Sequence, residues 1–70
     1  GGTFPVVLNV ANDEVVAAFL NNQIQFSDIP HLIEDAMNQH EFIDSPDLEI
    51  ISAISLWTAN YIHDEILTIA

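Results

Sequence analysis

Apolar residues recur at helical spacing through three stretches of the chain, and nowhere do they alternate long enough to read as a strand. In the first stretch, from about Phe4 to Leu20, one side collects Phe4, Leu8, Ala11, Val15 and Ala18 with Phe19. Asn9, Asn12 and Asp13 lie together on another side. Val6, Val7, Val10 and Val16 spread apolar surface beyond a single stripe, which predicts a helix contacted from more than one direction. Four valines in a short run also suit a strand, but without alternation the helix prevails. Thr3 is the expected N-cap, and Pro5 falls in the first turn, where a missing N–H breaks no helical bond.

Asn21-Asn22 then offers a stop, because Asn tolerates the left-handed conformation. Ile24 and Phe26 are expected to plug the core from the connector. A second helix, about residues 28–40, is expected to open on Ser27 as N-cap with Asp28 in its first turn. Its stripe is Ile29, Leu32, Ile33, Ala36 and Met37. The loop Glu41–Asp44 carries Phe42 and Ile43 as anchors. A third helix, about residues 46–67, holds Ile50, Ile51, Ile54, Trp57, Tyr61, Ile62 and Ile66, and its cap is open between Ser45 and Asp47. Asp64 and Glu65 near its end oppose the helix dipole, which suggests that the native chain continues or that basic groups of another segment lie close by. The pattern predicts one all-α domain over residues 1–70, a small three-helix bundle.

Composition narrows the function. Eleven Asp and Glu residues stand against no Lys or Arg, a formal charge of -11. Phosphates, nucleic-acid backbones and anionic membranes are gripped by Lys and Arg, so nucleic acid and membrane are excluded as expected partners. No cofactor site is expected in this chain. Unrelieved carboxylate repulsion predicts a fold stabilised by salt and by mild acid. Without Cys there is no disulfide or thiolate metal site, and a half-hydrophobic composition argues for a folded module. No apolar run approaches the roughly 18 residues that would span a bilayer, and no basic leader is legible.

Individual side chains invite chemistry but fit plainer roles. His31, His40 and His63 lack the spacing of a metal-binding pair and are expected to be solvated or capping. Glu34-Asp35 and Asp64-Glu65 are adjacent pairs that diverge around a helix; Asp44, Asp47 and Glu49 lack the glycine and terminal Glu of a calcium loop. No catalytic or metal-binding residue is therefore assigned. Asp44-Ser45 at a helix start resembles the Asp-Ser-Leu of acyl carrier proteins, but Pro46 follows. An acidic interaction or carrier module remains the alternative. Trp57 and Tyr61, one turn apart, are expected in the core with their polar tips outward, an exposed binding ridge being the alternative.

The run Gly1-Gly2-Thr3-Phe4-Pro5-Val6-Val7-Leu8-Asn9-Val10-Ala11-Asn12-Asp13-Glu14 is more specific. With Ala17-Ala18-Phe19-Leu20, Phe26 and Asp28-Ile29-Pro30 after it, the chain resembles the C-terminal helical domain of 1-deoxy-D-xylulose 5-phosphate reductoisomerase. That family reads Gly-Gly, Pro, Leu-Asn-Ala-Ala-Asn-Glu, Ala-Phe-Leu and Phe-x-Asp-Ile. Here Asp13 replaces the usual Glu and Val10 the usual Ala, Asn22, Gln23 and Gln25 replace basic residues, and Ser55 and Ala59 stand where Asp and Arg are common.

The resemblance implies a non-catalytic, structural domain that completes a four-helix arrangement in a longer enzyme of non-mevalonate isoprenoid synthesis. It implies that NADPH and Mg or Mn are bound by the parent, whose remaining domains are the partner of this chain. A homodimeric parent is consistent with it, as is a cytoplasmic location, or a plastid one in a plastid-bearing organism. No family nucleotide, metal or phosphate motif maps onto these residues. Asn9, Asn12 and Asp13 are the candidates for contact with the other domains.

Overall fold

Three helices make up the structure, a computed structural model that describes residues 2–69: α1 (Phe4–Leu20), α2 (Asp28–Gln39) and α3 (Leu48–Ile69). Among the described residues there is no strand. Gly1, the first glycine of the Gly-Gly pair, and Ala70 lie outside them. α1 packs broadly against both other helices, whereas α2 and α3 meet only sparsely. Phe4 lies beside His40 and Phe19 beside Phe26, so α2 runs antiparallel to α1. Glu14 meets His63, and both ends of α1 and α3 follow the same direction. At about 1.5 Å per residue α3 is roughly 33 Å long, which accounts for the 35 Å long axis of the molecule.

The core is built from Val7, Ala11, Val15 and Ala18 of α1, Leu32 and Ala36 of α2, Ile62 and Ile66 of α3, and Ile24 of the connector. This corrects the stripe read from sequence. Phe4 and Leu8 are about half exposed, at 47% and 45%, while Val7 is fully buried. The reason is that α1 faces two neighbours, so its inward direction bisects two seams rather than following one. Ala11, Ala18 and Ala36 let backbones approach closely, and the larger Phe4 and Leu8 ride the rim. Burying Val7, Val15 and Ile62 contributes on the order of 1.5–3 kcal/mol each. Phe26 is not a core plug either: it is 72% exposed and leans edge-on against Phe19.

Helix ends show where local chemistry departs from expectation. Thr3 and Ser27 both adopt helical backbone angles and neither side chain caps its helix, since a capping side chain needs an extended backbone to reach forward. At α2 the entry is a turn instead, in which the Asp28 N–H donates to the Gln25 carbonyl and the Gln25 N–H to the Asp28 carboxylate, at 3.0 and 2.8 Å. Asp47 caps α3, its carboxylate accepting the Ile50 N–H at 2.8 Å. The helix therefore starts at Leu48, two residues after the expected position, because Asp47 rather than Ser45 supplies the cap. It runs to Ile69, past the expected end at 67, with the Thr68 hydroxyl donating to the Glu65 carbonyl in the last turn. α2 ends at Gln39, with His40 in an extended conformation.

The stop after α1 follows expectation. Asn22 takes φ 60°, and the N–H groups of Asn22 and Gln23 donate back to the carbonyls of Phe19 and Ala18. This pair of bonds is a Schellman closure, with Asn supplying the left-handed residue.

Candidate functional site

Asn9, Asn12 and Asp13 are all exposed on the outward side of α1. Pro5, Leu8, Val16 and Leu20 share that side and are exposed as well, Leu20 at 71%. A helix that is apolar inward and partly apolar outward is unusual for a free surface. The structure brings the three sequence candidates together on one face, mixed with apolar neighbours that the sequence reading had assigned inward (Leu8) or left undirected (Val16).

The start of α1 is pinned by a cluster that the sequence reading missed. His40 is buried at the C-cap of α2, and of the two roles expected for it, solvated or capping, it takes the capping one. Its Nδ1 lies 2.6 Å from the Met37 carbonyl, and its Nε2 lies 3.1 Å from Thr3 Oγ1. Because a carbonyl only accepts, Nδ1 carries the proton and Nε2 is left to accept from the Thr3 hydroxyl. Thr3 Oγ1 in turn accepts the Ile43 N–H at 3.0 Å. Phe4 closes the cluster, edge-on to His40 and 4.9 Å from the Phe42 ring. Phe42 and Ile43 thus do anchor the loop, though Phe42 remains 46% exposed.

His63 and Glu14 form the other unforeseen contact, Nε2 to Oε1 at 3.0 Å across α1 and α3. They border a surface cleft of 310 Å³ lined also by Ala17, Ala18, Asn21 and Leu67. No hydroxyl or thiol lines it, so no side-chain nucleophile stands beside the imidazole–carboxylate pair. Forty-nine positions separate the two residues in sequence, and no local signal pairs them. His31 is exposed, as expected.

Trp57 and Tyr61 are half-buried rather than core residues, and stack with centroids 5.1 Å apart. Tyr61 packs against the core from one side, and its hydroxyl pKa is pushed up to about 12 by burial first, then by Glu65 and Asp35. Ser45 is exposed in the loop ahead of Pro46.

Nothing in this set is built to hold a metal or a dinucleotide. Among the described residues no three His, Asp or Glu side chains are placed to hold a metal ion together, and no buried polar side-chain atom lacks a partner. The chain also has no Lys or Arg to meet a phosphate. Among the described residues, no helix is long and apolar enough to cross a membrane.

Comparison with known proteins gives this arrangement its context. Residues 1–61 match the model of the DXP reductoisomerase C-terminal domain. The chain is 51% identical over 57 residues to 1-deoxy-D-xylulose 5-phosphate reductoisomerase of Halothermothrix orenii, covering 81% of this chain and 15% of that protein. It is 49% identical over 63 residues to the same-named protein of Halalkalibacterium halodurans, covering 90% of this chain and 16% of the relative. A Synechococcus relative of that name is 48% identical over 64 residues, again 89% of this chain and 16% of the other. The chain therefore spans about a sixth of the length of the curated relatives it matches. No solved structure matches it. A small all-α bundle with this N-terminal block and these relatives belongs to the DXP reductoisomerase C-terminal domain family.

Proposed function

We propose that this chain is the non-catalytic supporting domain of a reductoisomerase. The reaction of the whole enzyme is conversion of 1-deoxy-D-xylulose 5-phosphate to 2-C-methyl-D-erythritol 4-phosphate in non-mevalonate isoprenoid synthesis. NADPH, Mg or Mn, and substrate are held by other domains, since the chain has no Lys or Arg to bind a phosphate and no carboxylates among the described residues are grouped to hold a metal ion. The domain docks through the outward side of α1, where Asn9, Asn12 and Asp13 give directional polar contacts and Leu8, Val16 and Leu20 give apolar area. The enzyme works in the cytoplasm, or in a plastid where the organism has one, and as a homodimer. Neither nucleic acid nor membrane is a partner.

The observation that carries this reading is the exposed apolar surface beside the three polar residues, on the helix that holds the most specific stretch of family sequence. The experiment is a paired substitution, Leu8→Asp with Leu20→Asp, in the intact enzyme. Leu20 is 71% exposed, Leu8 is half exposed and neither belongs to the buried core, so the domain itself should keep its fold. The expected result is a lower melting temperature and reduced turnover of the enzyme. Unchanged melting and turnover would sink the docking role of α1.

A further inference from the structure

The sparse seam between α2 and α3 has two walls of different chemistry. On α3, Ile54, Trp57 and Tyr61 follow one another at helical spacing, all half-buried. The Trp57 and Tyr61 rings lie 21° from parallel and retain accessible surface. Asp28, His31 and Asp35 of α2 and Glu65 of α3 line a shared cleft of 160 Å³. Neither ring lines that cleft, but Glu65, which does, stands one helical turn after Tyr61 on α3, and Asp35 faces Glu65 across it. The Tyr61 hydroxyl pKa is raised by burial first, then by Glu65 and Asp35, in keeping with that placement. An accessible aromatic face in a negative field attracts a cation. A guanidinium suits it best, because it stacks on rings and donates to carboxylates in a planar fork.

The chain cannot fill this place itself, having neither Lys nor Arg, and a second copy of the chain is equally unable to do so. The occupant must come from other polypeptide, and the matched relatives are about six times as long as the matched region. We propose that Trp57 and Tyr61, flanked by Asp35 and Glu65, are the receptor for an arginine-bearing segment of the remainder of the enzyme. This rests on the chain being a domain of a longer reductoisomerase. The receptor lies on α3, apart from the outward side of α1, so the domain is held at two separate places.

The test uses the intact enzyme. Asp35 is exposed, so Asp35→Lys leaves the core in place and changes the charge beside the rings. It is expected to lower the melting temperature by about 2 °C or more. Glu41→Lys, an equal change of charge in an exposed loop, should leave it the same or raise it. In a Trp57→Leu background the Asp35→Lys effect should shrink at least twofold, because the two substitutions disturb one bound cation. No fall with Asp35→Lys, or equal falls with and without Trp57, overturns the receptor. Removing the whole domain separates the two ideas. If removal destabilises the enzyme while Asp35→Lys does not, only the receptor fails. If removal changes neither stability nor turnover, the supporting-domain reading fails and the receptor with it.

Discussion

His40 Nε2 accepts from the hydroxyl of Thr3 across 37 positions of sequence, and with the Phe4 ring edge-on to the imidazole this contact ties the end of α2 to the start of α1. Both residues are buried, and Thr3 Oγ1 also satisfies the Ile43 N–H, so the hydroxyl serves as donor and acceptor at once. Thr3→Val keeps the shape but leaves both the imidazole nitrogen and the Ile43 N–H without a partner. A buried group left unpaired costs about 1–3 kcal/mol, and chemical denaturation of the chain should show a loss of that size. Thr3→Ser, which keeps the hydroxyl, should lose less than half as much. Equal losses would mean that packing of the Thr methyl, not the hydroxyl, makes the site.

Gly2 precedes this knot and is committed to its shape. Its φ is +69°, and a Cβ placed there would come within 2.6 Å of the Phe42 ring and 3.0 Å of the Ile43 carbonyl. The ring is half exposed and can swing away, but the carbonyl is fixed by the loop. Gly2→Ala should therefore destabilise by on the order of 1–2 kcal/mol, through the left-handed backbone as much as the contact. Circular-dichroism melts with no shift would show that the loop relaxes freely.

Much of this fold was legible because helices announce themselves by period. The span of α1, the Asn22 stop and the family block all sit in local sequence. What escaped was direction. The valine spread announces that α1 is contacted from more than one side, but not which residues lie between the two partners, so Val7 replaced Phe4 and Leu8 inside. His40 and His63 found their partners 37 and 49 positions away, where a sequence read locally holds no information. The polar candidates on α1 were legible as a group, since Asn9, Asn12 and Asp13 are neighbours by helical geometry alone.

Ser45 and Asp47 were equal candidates to cap α3, and the structure separates them. Asp47 accepts the Ile50 N–H, while its own carbonyl accepts from Ile51 at 2.9 Å. Asp47→Ala should cost about 1 kcal/mol, within the usual range for a lost cap. Ser45→Ala, in an exposed loop residue, should be within about 0.5 kcal/mol of neutral. A larger loss at Ser45 than at Asp47, in paired urea titrations, would reverse the assignment.

Tyr61 makes the alkaline behaviour of this chain unusually simple to read. The chain has one Tyr and no Lys, Arg or Cys, so no other side chain loses a proton between about pH 9 and 12. Burial, then Glu65 and Asp35, raise the hydroxyl from 10.0 to about 12 in the folded state. The folded chain thus holds this proton more tightly than the unfolded chain. The resulting stability is fully present below pH 10 and drains away as pH rises towards 12. Ultraviolet absorbance of tyrosinate should titrate near 12 in the folded chain and near 10 in denaturant. Tyr61→Phe should remove the slope of stability against pH in that window, and Glu65→Gln should move the folded midpoint down by removing the charge beside the hydroxyl. A folded midpoint at 10 would mean that Tyr61 is open to water and that neither carboxylate reaches it.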